Sequence, residues 1–317
     1  MLAYPDRIAR RRADGGSLGV MVGGRGIRLG PESVVRDSEF FVALDPREDR
    51  RGGTLEARVR SASAIHHEWL ERSFPESVRR ERSVVFDEQR QRVVGRNALW
   101  YLDLLVREDH NAAVDDATAS RVLAEALRPR ASDLFHEDEA AANWLARLRF
   151  LRHRVPESHL PDVDATALSE LLEAVCMGKR GVAEVRQVAL IPFLRGRLSH
   201  SQDRFLEEQA PETITVPSGS RARLTYEPNR PPVLAIRLQE LFGWADTPRV
   251  AMGRVPIVLH LLGPNFRPVQ ITDDLRSFWA TTYFQVRKDL RARYPKHAWP
   301  EDPKIATAQA KGRSRPT

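Results

Sequence analysis

Arginines are the residues of this chain whose type and spacing best suit ligand chemistry. Arg58 and Arg60 are two residues apart in a segment with alternating polarity, so a strand would place both on one face. Five more arginines lie in or beside other predicted strands: Arg25, Arg28, Arg79, Arg80 and Arg82. A guanidinium group can donate two parallel hydrogen bonds to a phosphate. These arginines are therefore predicted to contact the phosphate backbone of a nucleic acid.

Acidic residues are interleaved with these arginines and leave a second interpretation open. The nearest acids along the chain are Glu56, Glu76, Glu81 and Asp87. A solvated face with internal ion pairs would show the same pattern and would bind nothing. Few aromatic residues lie among the arginines, so the sequence does not predict base stacking by this region.

Motifs for nucleotide or hydrolase chemistry are absent or stand in the wrong context. The sequence has no G-x-x-x-x-G-K-[ST] loop and no D-E-A-H carboxylate motif, so the chain alone is expected to bind no cofactor and to hydrolyse no ATP. Residues 23–26 are glycine-rich but lack the lysine, which favours a hairpin turn. Residues 15–19 match G-x-S-x-G, but a nucleophile elbow follows a strand and opens a helix, the reverse of the order here. A hydrolase using Ser17 is therefore the least supported function.

Histidine and cysteine give no site either. His66 and His67 are adjacent at a predicted helix start, where neighbouring side chains diverge by about 100°, so no metal site is predicted. Cys176 is the single cysteine, which excludes an intrachain disulfide and fits a reducing cytoplasm. The first residues lack the apolar core of a signal peptide, and no apolar run is long enough to span a membrane. The protein is expected to be cytoplasmic and without a membrane partner.

The surrounding elements predict an α+β protein. Residues 5–12 have the pattern of a short basic helix, and residues 13–112 that of about five short strands with one helix, the order of an OB-fold. Helical periodicity begins near residue 113, and a long helix is predicted from Thr272, with Asp273 and Asp274 in its first turn. The sequence thus predicts an N-terminal OB-like β-barrel and a mixed, mainly helical C-terminal domain, divided near residues 108–116.

Bulk composition agrees with a folded protein that has a polyanionic partner. The chain has 317 residues, is 42% hydrophobic and 29% charged, and carries a net charge of +7. This hydrophobic content is too high for a disordered chain. The positive charge favours RNA or another single-stranded nucleic acid as the partner.

Ordered motifs in the C-terminal third resemble the C-terminal domain of HrpB-type DEAH-box ATP-dependent RNA helicases. Two of them are Pro217-Ser218-Gly219-Ser220 and the stretch from Pro231 to Gly243. The others are Thr247-Pro248, Gly253-Arg254-Val255-Pro256, the stretch from Arg267 to Leu275, Phe278-Trp279, and the stretch from Arg293 to Pro303. Near the start, residues 4–12 resemble the last helix of the helical domain in the same helicases. The resemblance therefore extends over nearly the whole chain.

The resemblance implies four segments. Residues 1–12 correspond to the end of the helicase helical domain, 13–112 to the OB-fold, 113–303 to the HrpB-type C-terminal domain, and 304–317 to a disordered basic tail. The full-length family uses ATP and magnesium, whose binding motifs this sequence lacks, so an upstream part of a longer product or a separate chain is expected to supply the motor. The implied function is an accessory or regulatory region that contacts RNA. The alternative is a protein-interaction module that docks a partner of the helicase.

Overall fold

The computed structural model describes residues 1–13, 16–48, 56–227 and 229–310. The chain forms two compact units, of which the first comprises Met1–Ala126 and Cys176–Val185 and the second comprises Leu127–Val175 and Arg186–Thr317. A short segment from the second half of the chain therefore belongs to the first unit, which the sequence did not predict. The mixed α and β content confirms the predicted class.

The first unit is built on two sheets. One has seven strands in the order β5-β6-β3-β2-β1-β4-β7. Its strands are β1 (Ile8–Arg11), β2 (Leu18–Met21), β3 (Arg25–Leu29), β4 (Phe40–Ala43), β5 (Pro46–Glu48), β6 (Ala57–Val59) and β7 (Ala62–Ile65). The other has three longer strands in the order β10-β9-β8, namely β8 (Val78–Asp87), β9 (Arg92–Tyr101) and β10 (Leu104–Ala112).

The predicted basic helix over residues 5–12 is wrong. Only a 3-10 turn, Pro5–Arg7, precedes strand β1, which lies between β2 and β4 and pairs Ala9 with both Met21 and Phe41. Ile8 and Ala9 are both 0% exposed in this central position. Burial and backbone pairing on both sides of the strand override the local preference for a helix, which is a weak determinant in a short segment.

The predicted OB-like arrangement is not confirmed. Strand β8, which carries Arg79, Arg80 and Arg82, pairs with β9 in the separate three-stranded sheet and not with β3 or β6. The reason is local, because tight turns at Gln91 and Leu102, both with positive φ, join β8, β9 and β10 into two consecutive hairpins.

Three helices complete the first unit: α1 (Glu68–Ser73), α2 (Asp116–Leu127, whose last residue belongs to the second unit) and α6 (Val182–Val185). Helix α2 starts after Asp115, whose carboxylate accepts a hydrogen bond of 2.8 Å from the Thr118 N–H. The segment Cys176–Val185 is held to β9 by a backbone bond of 2.7 Å from the Val93 N–H to the Arg180 carbonyl. This backbone bond ties the distant segment to the first unit.

The second unit is mainly helical with small sheets. Its helices are α3 (Ala131–Glu137), α4 (Glu139–Arg154), α5 (Ala165–Val175), α7 (Ile191–Arg195), α8 (His200–Gln209), α9 (Leu275–Ala280) and α10 (Tyr283–Arg293). Its strands are β11 (Thr213–Thr215), β12 (Arg221–Arg223), β13 (Val233–Arg237), β14 (Arg249–Val250), β15 (Val255–Pro256), β16 (Val258–Leu262) and β17 (Pro268–Thr272). Strand β16 pairs in parallel with β13 and antiparallel with β17.

The long helix predicted from Thr272 is two helices. Helix α9 is capped by Asp274, whose carboxylate accepts from the Ser277 N–H at 2.9 Å, and the chain breaks before α10 at Thr281. The Thr281 hydroxyl donates to the Ser277 carbonyl at 2.7 Å, a bond that competes with regular helix. Around the break, Trp279 and Tyr283 are buried against each other, with ring centroids 5.2 Å apart.

The described part of the predicted disordered tail is tied to the second unit. The Gln309 N–H donates to the Gln239 carbonyl at 2.8 Å. The Gly243 N–H donates to the carbonyl of Pro303, just before the tail, at 2.9 Å. Residues 311–317, which complete the predicted tail, lie outside the described residues.

Candidate nucleic-acid interface

Four exposed arginines lie near one edge of the seven-stranded sheet. Arg58 on β6 is opposite Arg28 on β3 and opposite Arg47 on β5, so the three form a row across adjacent strands, and Arg60 follows directly after β6. We call Arg28, Arg47, Arg58 and Arg60 the sheet-edge arginines. Alternate residues of the same strands, Ile27, Leu29, Ala57 and Val59, are buried. Sequence analysis missed Arg47 because its strand has only three residues.

Every sheet-edge arginine has a carboxylate partner. Arg28 lies 2.9 Å from Glu56, and Arg47 lies 3.1 Å from Asp45. Arg58 and Arg60 share Glu32, at 3.3 Å and 3.7 Å. A backbone hydrogen bond, with Arg58 and Arg60 beside it, lowers the pKa of Glu32. The carboxylate therefore stays ionised at neutral pH and compensates its two arginines.

A second arginine group lies on one face of the three-stranded sheet. Arg80 on β8 and Arg107 on β10 are both opposite Leu99 on β9, so the three residues share a face. Arg82 is opposite Asn97, which is opposite Asp109. These six residues line a groove of about 290 Å³, which we call the sheet groove. Arg107 was not predicted, because a bulge between Leu105 and Arg107 shifts the register of β10.

Two arginines of the sheet groove have no carboxylate partner among the described residues. The Arg82 guanidinium donates to the backbone carbonyl of Ala113, and Arg107 forms no ion pair within the described residues, although its charge helps to lower the pKa of Asp109. Two acids line the groove, Glu81 and Asp109, and Glu81 pairs with Arg79. Asp109 accepts from the Asn111 N–H and from the Asn97 amide, both at 3.1 Å. The Asn111 bond is the main reason why the pKa of Asp109 is lowered. Arg80 differs, because it lies 2.6 Å from Glu71 on α1.

The remaining two predicted arginines lie apart from both groups. Arg25 begins β3 three residues before Arg28, so it projects from the opposite face of the strand. Arg79 alternates with Arg80 along β8 and lies on the face opposite the sheet groove, 2.9 Å from Glu81. The structure therefore brings the predicted residues together as two separate groups and not as one continuous surface.

Other sequence motifs resolve as structural elements. Gly23 and Gly24 have φ values of +85° and +70° and form the predicted hairpin turn between β2 and β3. Burial raises the pKa of the Cys176 thiol to about 11, which leaves it protonated at neutral pH. Ser17 directly precedes a strand, so no nucleophile elbow forms there.

The described residues hold no group of three or more histidine, cysteine or acidic side chains placed to bind a metal ion. Nor do they include a helix that is both long and apolar enough to cross a membrane.

Known proteins resemble this chain in sequence and in fold. Residues 171–303 match the family model described as HrpB_C, ATP-dependent helicase C-terminal. The chain is 31% identical over 305 residues to the ATP-dependent RNA helicase HrpB of Escherichia coli strain K12, an alignment that covers 95% of this chain and 37% of that protein. The chain therefore spans little more than a third of the length of this curated relative.

Two solved structures are similar as well. A crystal structure of the E. coli DExH-box NTPase HrpB matches with a TM-score of 0.61 and 29% identity, covering 98% of this chain and 38% of that one. A crystal structure of the E. coli DEAH/RHA helicase HrpB matches with a TM-score of 0.54 and 29% identity, covering 94% and 37%. The chain belongs to the HrpB helicase family and corresponds to the family's C-terminal part.

Proposed function

We propose that this chain is an accessory region of an ATP-dependent RNA helicase and that its first unit holds the phosphate backbone of single-stranded RNA. The sheet groove is the main contact, and the sheet-edge arginines contribute less. The ATP-driven motor, with its ATP and magnesium, is the second partner and is supplied by domains that carry the motifs this sequence lacks. Relatives named as helicases support the context, and the groove supports the contact.

The single observation that carries the proposal is that Arg82 and Arg107 lie on one sheet face, are exposed and form no ion pair with any carboxylate of the described residues. An arginine that is paired with a glutamate must give up that ion pair before it can bind a phosphate. Arg82 gives up only a bond to a carbonyl, and Arg107 gives up no ion pair. Among the arginines of the sheet edge and the sheet groove, these two guanidinium groups are therefore the strongest phosphate ligands.

Binding of this kind is expected to be weak, independent of sequence and sensitive to salt. Each phosphate that is neutralised releases counterions, and the slope of log affinity against log salt is about 0.7 per contact for a single strand. With roughly three to five contacts, a fourfold rise in salt weakens binding on the order of 10- to 100-fold. Because acids pair with the sheet-edge arginines, the loss of affinity is expected near the lower end of this range.

A titration of fluorescein-labelled oligouridylate by fluorescence anisotropy tests the proposal with the full chain. The variant Arg82→Ala/Arg107→Ala is expected to lose about tenfold or more in affinity at low salt, and its salt slope falls by about 1.4. The matched control is Arg204→Ala/Arg230→Ala, which removes two exposed arginines of the second unit. Absence of binding at low salt, or equal affinity of the two double variants, overturns the proposal.

A further inference from the structure

The first unit carries a second and larger groove, of about 620 Å³, beside strand β1. One wall includes Arg10, Arg11, Arg12 and Val20 from the seven-stranded sheet and its margin, and the other includes Trp100 and Leu105 from the three-stranded sheet. We call it the Trp100 groove. Its volume lies in the range of small-molecule sites. None of these residues was predicted to bind a ligand.

Trp100 gives this groove an aromatic surface. It is half-buried on β9, opposite Leu105 on β10 and opposite Arg79 on β8. The guanidinium carbon of Arg79 lies 5.8 Å from the centre of the indole ring. The indole Nε1 is buried and has no hydrogen-bond acceptor within the described ranges. The groove wall therefore combines a flat ring with a cation beside it.

Arg10, Arg11 and Arg12, on the wall opposite Trp100, differ in their hydrogen-bond acceptors. Arg10 donates to Glu39 at 2.8 Å and to the Leu105 carbonyl at 3.0 Å, so it links β1 to the three-stranded sheet. Arg11 donates to three backbone carbonyls, those of Ser38, Gly16 and Val35, and to no carboxylate.

The exposed side chain of Arg12 has no hydrogen-bond or ion-pair partner in the described parts of the chain, whereas its backbone N–H donates to the Leu18 carbonyl at 3.0 Å. Two guanidinium groups without a carboxylate partner among the described residues therefore lie at the Arg11 and Arg12 end of the groove.

The acids of the groove do not cancel this charge by contact. Both oxygens of the Asp103 carboxylate accept from the Gly23 N–H, at 2.9 and 3.0 Å, and Glu39 is occupied by Arg10. Asp37 is exposed at the rim. Acceptors at the rim suit the N–H groups on the edge of a base, and the arginine end suits a phosphate. An apolar peptide side chain would leave the Arg12 side chain without a partner.

We propose that the Trp100 groove binds one nucleobase of single-stranded RNA, stacked against the indole, with an adjoining phosphate at Arg12. The inference rests on the proposed function, since the same RNA strand would contact the sheet groove through its backbone. Stacking on an aromatic side chain tolerates any base, because each base has a π-face. The groove therefore adds affinity that depends on the presence of a base but not on its identity.

Two labelled RNAs of equal length separate base binding from backbone binding in the full chain. One is oligoadenylate, and the other has the same ribose-phosphate backbone without bases at its central positions. Wild-type protein is expected to bind oligoadenylate on the order of tenfold more tightly than the abasic RNA. Trp100→Ala removes this difference and leaves the affinity for the abasic RNA unchanged. Trp100→Phe, which keeps a ring and guards against a folding defect, retains most of the difference.

The matched control is Trp69→Ala, since Trp69 is an exposed tryptophan of the same unit that does not line the groove. It is expected to change neither affinity. If wild-type protein binds both RNAs equally, or if Trp69→Ala acts as Trp100→Ala does, the groove does not bind a base, although backbone binding still stands. If wild-type protein binds neither RNA at low salt, the proposed function itself fails.

Discussion

The sheet-edge arginines and the arginines of the sheet groove lie on exposed strand faces of the same unit, yet their surroundings differ. All four sheet-edge arginines lie within 4 Å of a carboxylate, whereas Arg82 and Arg107 have none that close in the part of the chain that the structure describes. The difference teaches that the spacing of arginines on a strand does not determine whether they are available to a phosphate. Availability depends on whether an acid lies close enough to form an ion pair.

The positions of the neighbouring acids account for this contrast. At the sheet edge, Glu32 lies within reach of both Arg58 and Arg60, and Glu56 pairs with Arg28. In the sheet groove, Asp109 accepts from the Asn97 amide and the Asn111 N–H and forms no ion pair with Arg107.

Reversing charge in the sheet groove is expected to have the largest effect on RNA binding. Arg82→Glu/Arg107→Glu should weaken binding by about 100-fold at low salt, since two charge-assisted hydrogen bonds of about 1.5 kcal/mol each are lost. The equivalent change at the sheet edge, Arg28→Glu/Arg58→Glu, should weaken it by about tenfold or less, because ion pairs already offset those arginines. Anisotropy titrations of the two double variants measure the contrast. Equal losses would show that pairing with carboxylates does not govern availability.

Removing the sheet-edge acids should have a smaller effect of opposite sign. Glu32→Gln/Glu56→Gln leaves Arg28, Arg58 and Arg60 without their partners, and RNA affinity at low salt should rise by about three- to tenfold. Glu208→Gln/Glu227→Gln is the matched control, since it also removes two acids and unpairs Arg204 and Arg230, at 2.8 and 2.9 Å, in the second unit. A rise that is equally large in the control would reflect net charge alone.

Protonation of Glu32 should free Arg58 and Arg60 only at low pH. Because the pKa of Glu32 is lowered by its backbone bond and by Arg58, the ion pair persists from pH 8 down through the usual glutamate range near 4.3. Its contribution to stability is likewise present above that range and is lost as pH falls through the lowered pKa. The ratio of RNA affinities of Glu32→Gln and wild type should therefore stay constant between pH 8 and about pH 5. A ratio that falls towards unity in this range would mean that Glu32 has a raised pKa.

Sequence periodicity predicted much of the local structure but little of its assembly. The alternation around Arg58 correctly placed Ala57 and Val59 in the core, because one face of a half-buried strand must be apolar. The order of the strands could not be predicted, since it depends on which long-range pairings bury β1 between its neighbours.

The two grooves were missed for the same reason. Arg107 and Trp100 are joined to their neighbours only by cross-strand register, and a bulge in β10 sets part of that register. The run from Arg10 to Arg12 has charges that suit the end of a helix as well as an exposed strand. Only the buried partners of Ile8 and Ala9 decide between the two.

The smallest expected effect is on the stability of the fold. Arg58 lies directly between Arg28 and Arg47 on neighbouring strands, and like charges in this position disfavour the sheet by a few tenths of a kcal/mol or more each. Its exposed ion pair with Glu32 opposes this by a similarly small amount. Replacing Arg58 with threonine removes both contributions and supplies a residue that favours strands. The free energy of unfolding in urea should therefore change by less than about 0.5 kcal/mol.

Arg82→Thr is the matched substitution, since Arg82 is opposite the uncharged Asn97. This change relieves no repulsion, and it loses the bond to the Ala113 carbonyl. It should be the more destabilising of the two, and the reverse order would mean that the sheet-edge ion pairs hold the fold together.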